Sequence, residues 1–194
     1  MDLHDDFREA VEAIKVIDFS TCALQQLNVF ETTIRYLGGF LSAYDLSGGK
    51  YPILLQKATE MGDMLYKAFD TPNRIPITRW DWQAARDGAS QQADESALVS
   101  EIGSLTLEFT RLSQITGEPK YFDAVQHVMD VFDEQQDKTK LPGMWPVLIN
   151  ARNGDYTGFN GFTIGGMADS LYEYLPKVRR IPVSSTSPVL VDRQ

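Results

Sequence analysis

Asn28-Val-Phe-Glu-Thr-Thr-Ile-Arg-Tyr-Leu-Gly-Gly-Phe-Leu-Ser-Ala-Tyr44 is the stretch whose reading decides the fold. Leu27, Phe30, Ile34, Leu37, Leu41 and Tyr44 recur in steps of three and four, which predicts one apolar face of a helix over 24–46. Gly38-Gly39 falls mid-helix, where each glycine costs roughly 1 kcal/mol relative to alanine. The pair therefore predicts close approach of a neighbouring helix. Ser47-Gly-Gly49 ends the element, because glycine readily takes the left-handed cap. Pro52 then opens a second helix whose face is Leu54, Ala58, Met61, Leu65 and Ala68.

The same grammar returns downstream. Residues 97–115 place Leu98, Ile102, Leu105, Phe109 and Leu112 on one face, Thr116-Gly117 stops the helix, and Pro119 opens the next, with Phe122, Val125, Met129 and Phe132. The two glycine stops lie 69 residues apart. Residues 140–163 differ: Asn153-Gly154 between apolar runs predicts a small β-hairpin near 144–158. Gly165-Gly166 leads into a third helix through Tyr174. The fold class is all-α, two complete helical hairpins and the start of a third, and such pairs bury their faces only against neighbours. A short amphipathic helix over 5–16 precedes them. Residues 70–95 form a long polar connection, a length that marks a functional or partly disordered loop. From Pro176 to Gln194 no helical period continues, which predicts a poorly ordered tail.

Composition narrows the chemistry. The 194 residues are 43% hydrophobic and carry a net charge of −9, so a sizeable core is available and no basic stripe exists to meet nucleic acid. Cys22 is the one cysteine, which excludes a disulfide within this stretch and reads as a small buried hydrophobe. His4 and His127 are the only histidines, so no Cys/His metal cluster and no serine–histidine chemistry is indicated. No apolar run reaches membrane length, and Met1-Asp-Leu-His-Asp-Asp-Phe7 lacks a signal-peptide pattern; taken literally the chain reads as soluble and cytosolic. Any catalysis rests on carboxylates.

Three of these recur at nearly even spacing: Glu31, Glu101 and Asp169 are separated by 70 and 68 residues. One carboxylate per stacked helix pair, all aimed at a shared space, suits an enzyme on a ring of helices. Each also has a plain explanation. Glu31 and Arg35 stand at i,i+4, within reach of a surface ion pair. Glu101 and Glu108 are seven apart, as on one solvated helix face. Asp169 begins a helix, where the dipole favours an acid. Small neighbours (Thr32-Thr33, Gly103-Ser104, Gly166, Ala168) leave room beside the acids, and Phe30, Tyr36, Phe159, Phe162, Tyr172 and Tyr174 supply rings nearby. Carboxylates with aromatic platforms are what a carbohydrate site needs, although core packing accounts for most such rings one by one.

Taken together, Asn28–Tyr44, Ala68-Phe-Asp-Thr-Pro72, Ser100-Glu-Ile-Gly-Ser-Leu-Thr-Leu-Glu-Phe109, Leu112-Ser-Gln-Ile-Thr-Gly117 and Gly165-Gly-Met-Ala-Asp-Ser-Leu-Tyr-Glu-Tyr-Leu175 resemble the class I α-1,2-mannosidases, family 47 of the glycoside hydrolases, in its filamentous-fungal branch. The resemblance covers residues 2–177 and implies an incomplete (α/α)7 barrel. It implies removal of terminal α-1,2-linked mannose from high-mannose N-glycans with inversion, Ca²⁺ as cofactor, and residence in the endoplasmic reticulum or Golgi. By the same resemblance Glu31 is the general acid acting through a water, Asp169 a second catalytic carboxylate, and Arg35 and Glu101 contact sugar. Met167 stands where some members have an arginine.

Residues 1–177 are accordingly expected to be part of a catalytic domain, with 178–194 a tail outside the family pattern. The family's later general-base acid, its further hairpins and the threonine that holds Ca²⁺ have no counterpart in the sequence, which predicts a chain inactive alone. Two other readings stay open: a relative that binds mannose-bearing glycoproteins without cutting them, and a plain helical-repeat scaffold.

Overall fold

The computed structural model describes residues 3–181. A peripheral helix, α1 (His4–Ile14), precedes the first repeat. There the long helix begins later than its apolar stripe predicts. Gln26–Asn28 is a short strand, β1, and helix α2 (Val29–Thr32) starts after it. Asn28 keeps an extended backbone while its side chain accepts from the Glu31 amide at 3.0 Å, which caps the helix and ends the strand. The helix then widens into a π-helical turn over Thr33–Leu37 before continuing as α3 (Gly38–Leu46). Gly48 and Gly49, both at positive φ, turn the chain into α4 (Pro52–Tyr66), which starts on its proline as predicted.

The second repeat has the same plan. Strand β2 (Arg79–Asp81) pairs antiparallel with β1, with Asn28 opposite Arg79, and a short helix α5 (Trp82–Arg86) follows. Strand β3 (Ala97–Leu98) leads into α6 (Val99–Gly103) and, after a break at Ser104-Leu105, into α7 (Thr106–Thr116). Gly117 at φ +75° caps α7, and α8 (Pro119–Gln135) runs back. Strand β4 (Leu148–Ile149) pairs with β3, and α9 (Asp169–Val178) opens the third repeat.

Contacts between these helices fix their directions. Gly38 of α3 lies against Glu108 of α7, whose carboxylate accepts from Tyr174 of α9, so residues 38, 108 and 174 share one level. Nearer the start, Ser104 bonds Ser170; farther along, Arg111 pairs with Asp45. The three rows rise together, so α2–α3, α6–α7 and α9 are parallel, while the glycine turns make α4 and α8 antiparallel partners. A parallel inner row backed by antiparallel helices is a sector of an α/α toroid. The core between the layers holds Leu65, Phe109, Leu112, Tyr121 and Phe132, all essentially without solvent exposure. A side chain on Gly62 would run into Leu112, and one on Gly103 into Leu171, so both glycines are demanded by helix contact.

Several expectations change in detail. Of the mid-helix glycines, only Gly38 meets a neighbour, and a Cβ on Gly39 would find open space. The connection over 70–95 is ordered by its side chains: Thr78 donates twice to Asp94, Trp80 to Gln91, and Asn73 to the Ala151 carbonyl at 2.6 Å. Near 144–158 a tight turn does form, with Gly154 at φ +65° and a bridge between Asn150 and Asp155. The strand leading into it, β4, also pairs with β3 across the molecule, while the Val147 amide bonds the Gly161 carbonyl of the chain that follows at 2.7 Å. Helix α9 continues through Pro176 to Val178, because a proline in the last turn forfeits only one helical hydrogen bond. The predicted tail falls mostly on residues 182–194, outside the described residues.

Candidate active site

Glu31, Glu101 and Asp169 each stand in the first turn of a helix of the parallel row: α2, α6 and α9. The row's alignment brings those first turns to one end of the molecule. Asn28 joins two of them, its side chain capping the Glu31 amide and donating to Glu101 Oε1 at 3.4 Å. The Ser100 amide bonds the Met167 carbonyl at 3.4 Å, which seats the start of α9 beside that of α6. Met167 itself has φ +72°, a left-handed conformation that costs a side-chain-bearing residue and occurs where tertiary contacts enforce it. It is the turn that delivers Asp169.

The surroundings of the acids differ. Glu31 and Arg35 are ion-paired at 2.5 Å as the i,i+4 spacing predicts, with side chains 41% and 69% exposed. Arg35 lies in the π-turn, a deviation that in helices frequently accompanies functional positions. Asp169 is exposed, one oxygen accepting from the Ser170 amide at 2.9 Å. Glu101 is buried, against the expectation of a solvated face. Arg79 grips it from β2, with Nη1 at 3.0 Å from Oε2 and Nη2 at 2.9 Å from Oε1.

Sequence reasoning missed Arg79. The available signal was the alternation in Arg79-Trp80-Asp81, where a buried Trp80 puts residues 79 and 81 on the opposite strand face. Its partner could not be read from spacing, because the cross-strand pairing with Asn28 aims it at α6.

Glu108 also departs from expectation. The break at Ser104-Leu105 takes it off the helical face of Glu101, and its carboxylate is buried between α3, α7 and α9. Oε1 accepts from Tyr174 at 3.0 Å, whereas Oε2 has no partner among the described residues. Burial pushes its pKa above the usual carboxylate value. A hollow of about 680 Å³ between α3, α7 and the end of α9 is lined by Glu108, Arg111 and Lys177, not by the three predicted acids.

The small residues beside the acids do not all leave room, since Leu171 occupies the place of a Gly103 side chain. Among the rings, Tyr172 is spoken for by Trp145, with which it exchanges hydrogen bonds, whereas Tyr36 is exposed. Among the described residues, no three His, Cys, Asp or Glu side chains gather to hold a metal ion. Among those residues, too, no helix is long and apolar enough to cross a membrane.

The chain matches the model of glycosyl hydrolase family 47 over residues 1–189. It is 38% identical over 182 residues to the mannosyl-oligosaccharide α-1,2-mannosidase IA of Spodoptera frugiperda, covering 91% of this chain and 26% of that protein. The endoplasmic reticulum mannosyl-oligosaccharide 1,2-α-mannosidase of Homo sapiens is 40% identical over 151 residues, which are 78% of this chain and 21% of the relative. Among solved structures, the α-1,2-mannosidase of Trichoderma reesei superposes with a TM-score of 0.68 at 32% identity, over 90% of this chain and 39% of that one. The chain thus spans about a fifth to a quarter of the length of those two curated relatives. Shared sequence, shared helical plan and an acid in the first turn of each parallel helix lead to one assignment: the chain belongs to glycosyl hydrolase family 47.

Proposed function

We propose that this chain is part of a glycosidase that removes terminal α-1,2-linked mannose from high-mannose N-glycans with inversion, in the secretory pathway, and that it is inactive alone. One observation carries the reading: carboxylates of three successive repeats stand at the same end of a parallel helix row, with Arg35 and Asn28 among them. Inverting hydrolysis needs two carboxyl groups far enough apart to admit a water between them. Carboxylates carried by separate helices, Glu31 on α2 and Asp169 on α9, suit such a separation. Glu31, held by Arg35, protonates the leaving oxygen by way of a bridging water. Asp169, open to solvent, is the second carboxylate, and Glu101 and Arg35 hold sugar hydroxyls. Ca²⁺ as cofactor belongs to the same family reading.

A chimera tests this. Residues 3–177 replace the matching segment of the T. reesei enzyme, and mannose release from a high-mannose glycan is measured. The chimera is expected to turn over, with Glu31→Gln lowering the rate by about 10²-fold or more, the usual worth of a positioned general acid. A folded chimera that binds the glycan yet releases nothing with Glu31 intact would make this segment a lectin part. Mannose release by the 194-residue chain on its own would refute its inactivity.

A further inference from the structure

Arg79 lies outside the residues that the family resemblance supplies, yet it is the side chain most directly tied to Glu101. Its Nη1 donates to Glu101 Oε2 at 3.0 Å and to the Thr78 carbonyl at 3.3 Å, and Nη2 sits 2.9 Å from Glu101 Oε1. The two hydrogen bonds use both N–H groups of Nη1, two of the five that a guanidinium carries. Nε–H and the outer Nη2 hydrogen meet no partner among the described residues, and the side chain is 46% exposed. Glu101 keeps acceptor capacity in turn, because each carboxylate oxygen has two lone-pair sites and Oε2 receives only Arg79.

Register places this pair at the catalytic end. Asn28 and Arg79 are directly opposed in the β1–β2 ladder, so both side chains leave the same face, and both reach Glu101. Asn28 also caps the helix that carries Glu31. The free Nε–H and outer Nη2 hydrogen of Arg79 form one edge of the guanidinium, on the side away from Nη1 and Glu101 Oε2, at the end of the row that carries the candidate acid.

We infer that Arg79 is a specificity-determining residue that contacts sugar directly: its free Nε–H and outer Nη2–H donate to two neighbouring hydroxyls of one mannose residue, while Glu101 holds the guanidinium in place. Each hydroxyl oxygen of a vicinal diol can accept, so the diol matches the two parallel N–H groups of that edge. A lysine at this position would present a point charge without that shape. The inference rests on the mannose reading of the site.

The test uses the 194-residue chain, isotope-labelled and titrated with α-1,2-mannobiose while the Arg79 Nε–H signal and the amides of Asn28, Glu31 and Arg35 are followed by NMR. All of them are expected to shift saturably. Arg79→Met is expected to raise Kd by about tenfold, the loss of one charge-assisted hydrogen bond. Arg79→Lys keeps Glu101 paired but loses the fork, so it recovers only part of the affinity. Saturable amide shifts with a static Arg79 Nε–H, or an unchanged Kd in a folded Arg79→Met, overturn the Arg79 contact and leave the mannose reading standing. No shift at any of these groups up to about 50 mM disaccharide overturns both, since a site weaker than that has no useful affinity. The Nε–H measurement is made on the unsubstituted chain, so it decides the matter even if a variant fails to fold.

Discussion

Glu101 and Glu108 are seven residues apart in one repeat, the first buried and the second half-buried with its carboxylate turned inward, and they live in opposite electrostatic circumstances. Glu101 has a guanidinium on both oxygens and an amide within reach. Glu108 has one tyrosine hydroxyl, one orphaned oxygen and a pKa raised by burial. The first is paired with a cation at the end of the row proposed to meet substrate. The second sits at the seam of three helices, where its neutral form is the comfortable one. Burial alone therefore does not say what a carboxylate is for; its partners do.

Removing the charge from each site separates the two cases. Glu101→Leu is expected to cost the most, about 1–3 kcal/mol in a urea unfolding titration, because it leaves a charged donor group without its acceptors. Arg79 is half-exposed and can turn to water, which keeps the cost below that of breaking a fully buried pair. A cost near zero would show that Arg79 and Glu101 are not coupled in solution.

Glu108→Gln should act the other way, raising stability near neutral pH by about 1 kcal/mol as the orphaned charge disappears. The sign follows from linkage. The folded-state pKa of Glu108 lies above its ordinary value of 4.5, so the native chain holds the proton more tightly than the unfolded one. Its contribution is fully present below 4.5 and is lost as pH rises through the folded value. Unfolding titrations across that window should show stability falling in the parent chain and a shallower fall in Glu108→Gln. Identical slopes would place Glu108 in contact with water.

Asp169→Asn is the smallest change, about 0.5 kcal/mol or less in thermal unfolding, because the residue is exposed and its one bond is to the adjacent amide. A loss well above that would mean that Asp169 supports the fold rather than the chemistry proposed for it.

The helical plan was legible because its signals are local. Apolar steps of three and four, Pro52 and Pro119 at helix starts, and Gly49 and Gly117 after helix ends all report on neighbours within one turn. The family resemblance picked out Glu31, Arg35, Glu101 and Asp169, and the structure places all three acids in equivalent first turns. Arg79 was not legible. Its partner Glu101 is 22 residues away, and only the strand pairing between Asn28 and Arg79 turns it toward that acid.

By itself, then, the sequence determined the helices, their glycine stops and the periodic carboxylates, since hydrogen bonds and side-chain contacts within a few residues set those. Tertiary structure alone decided that α6 breaks before α7, that β4 joins β3, and that Glu101 is clasped while Glu108 is stranded. Those outcomes depend on groups brought together by closing long loops, and the cost of closing a loop is nearly blind to which residues it contains.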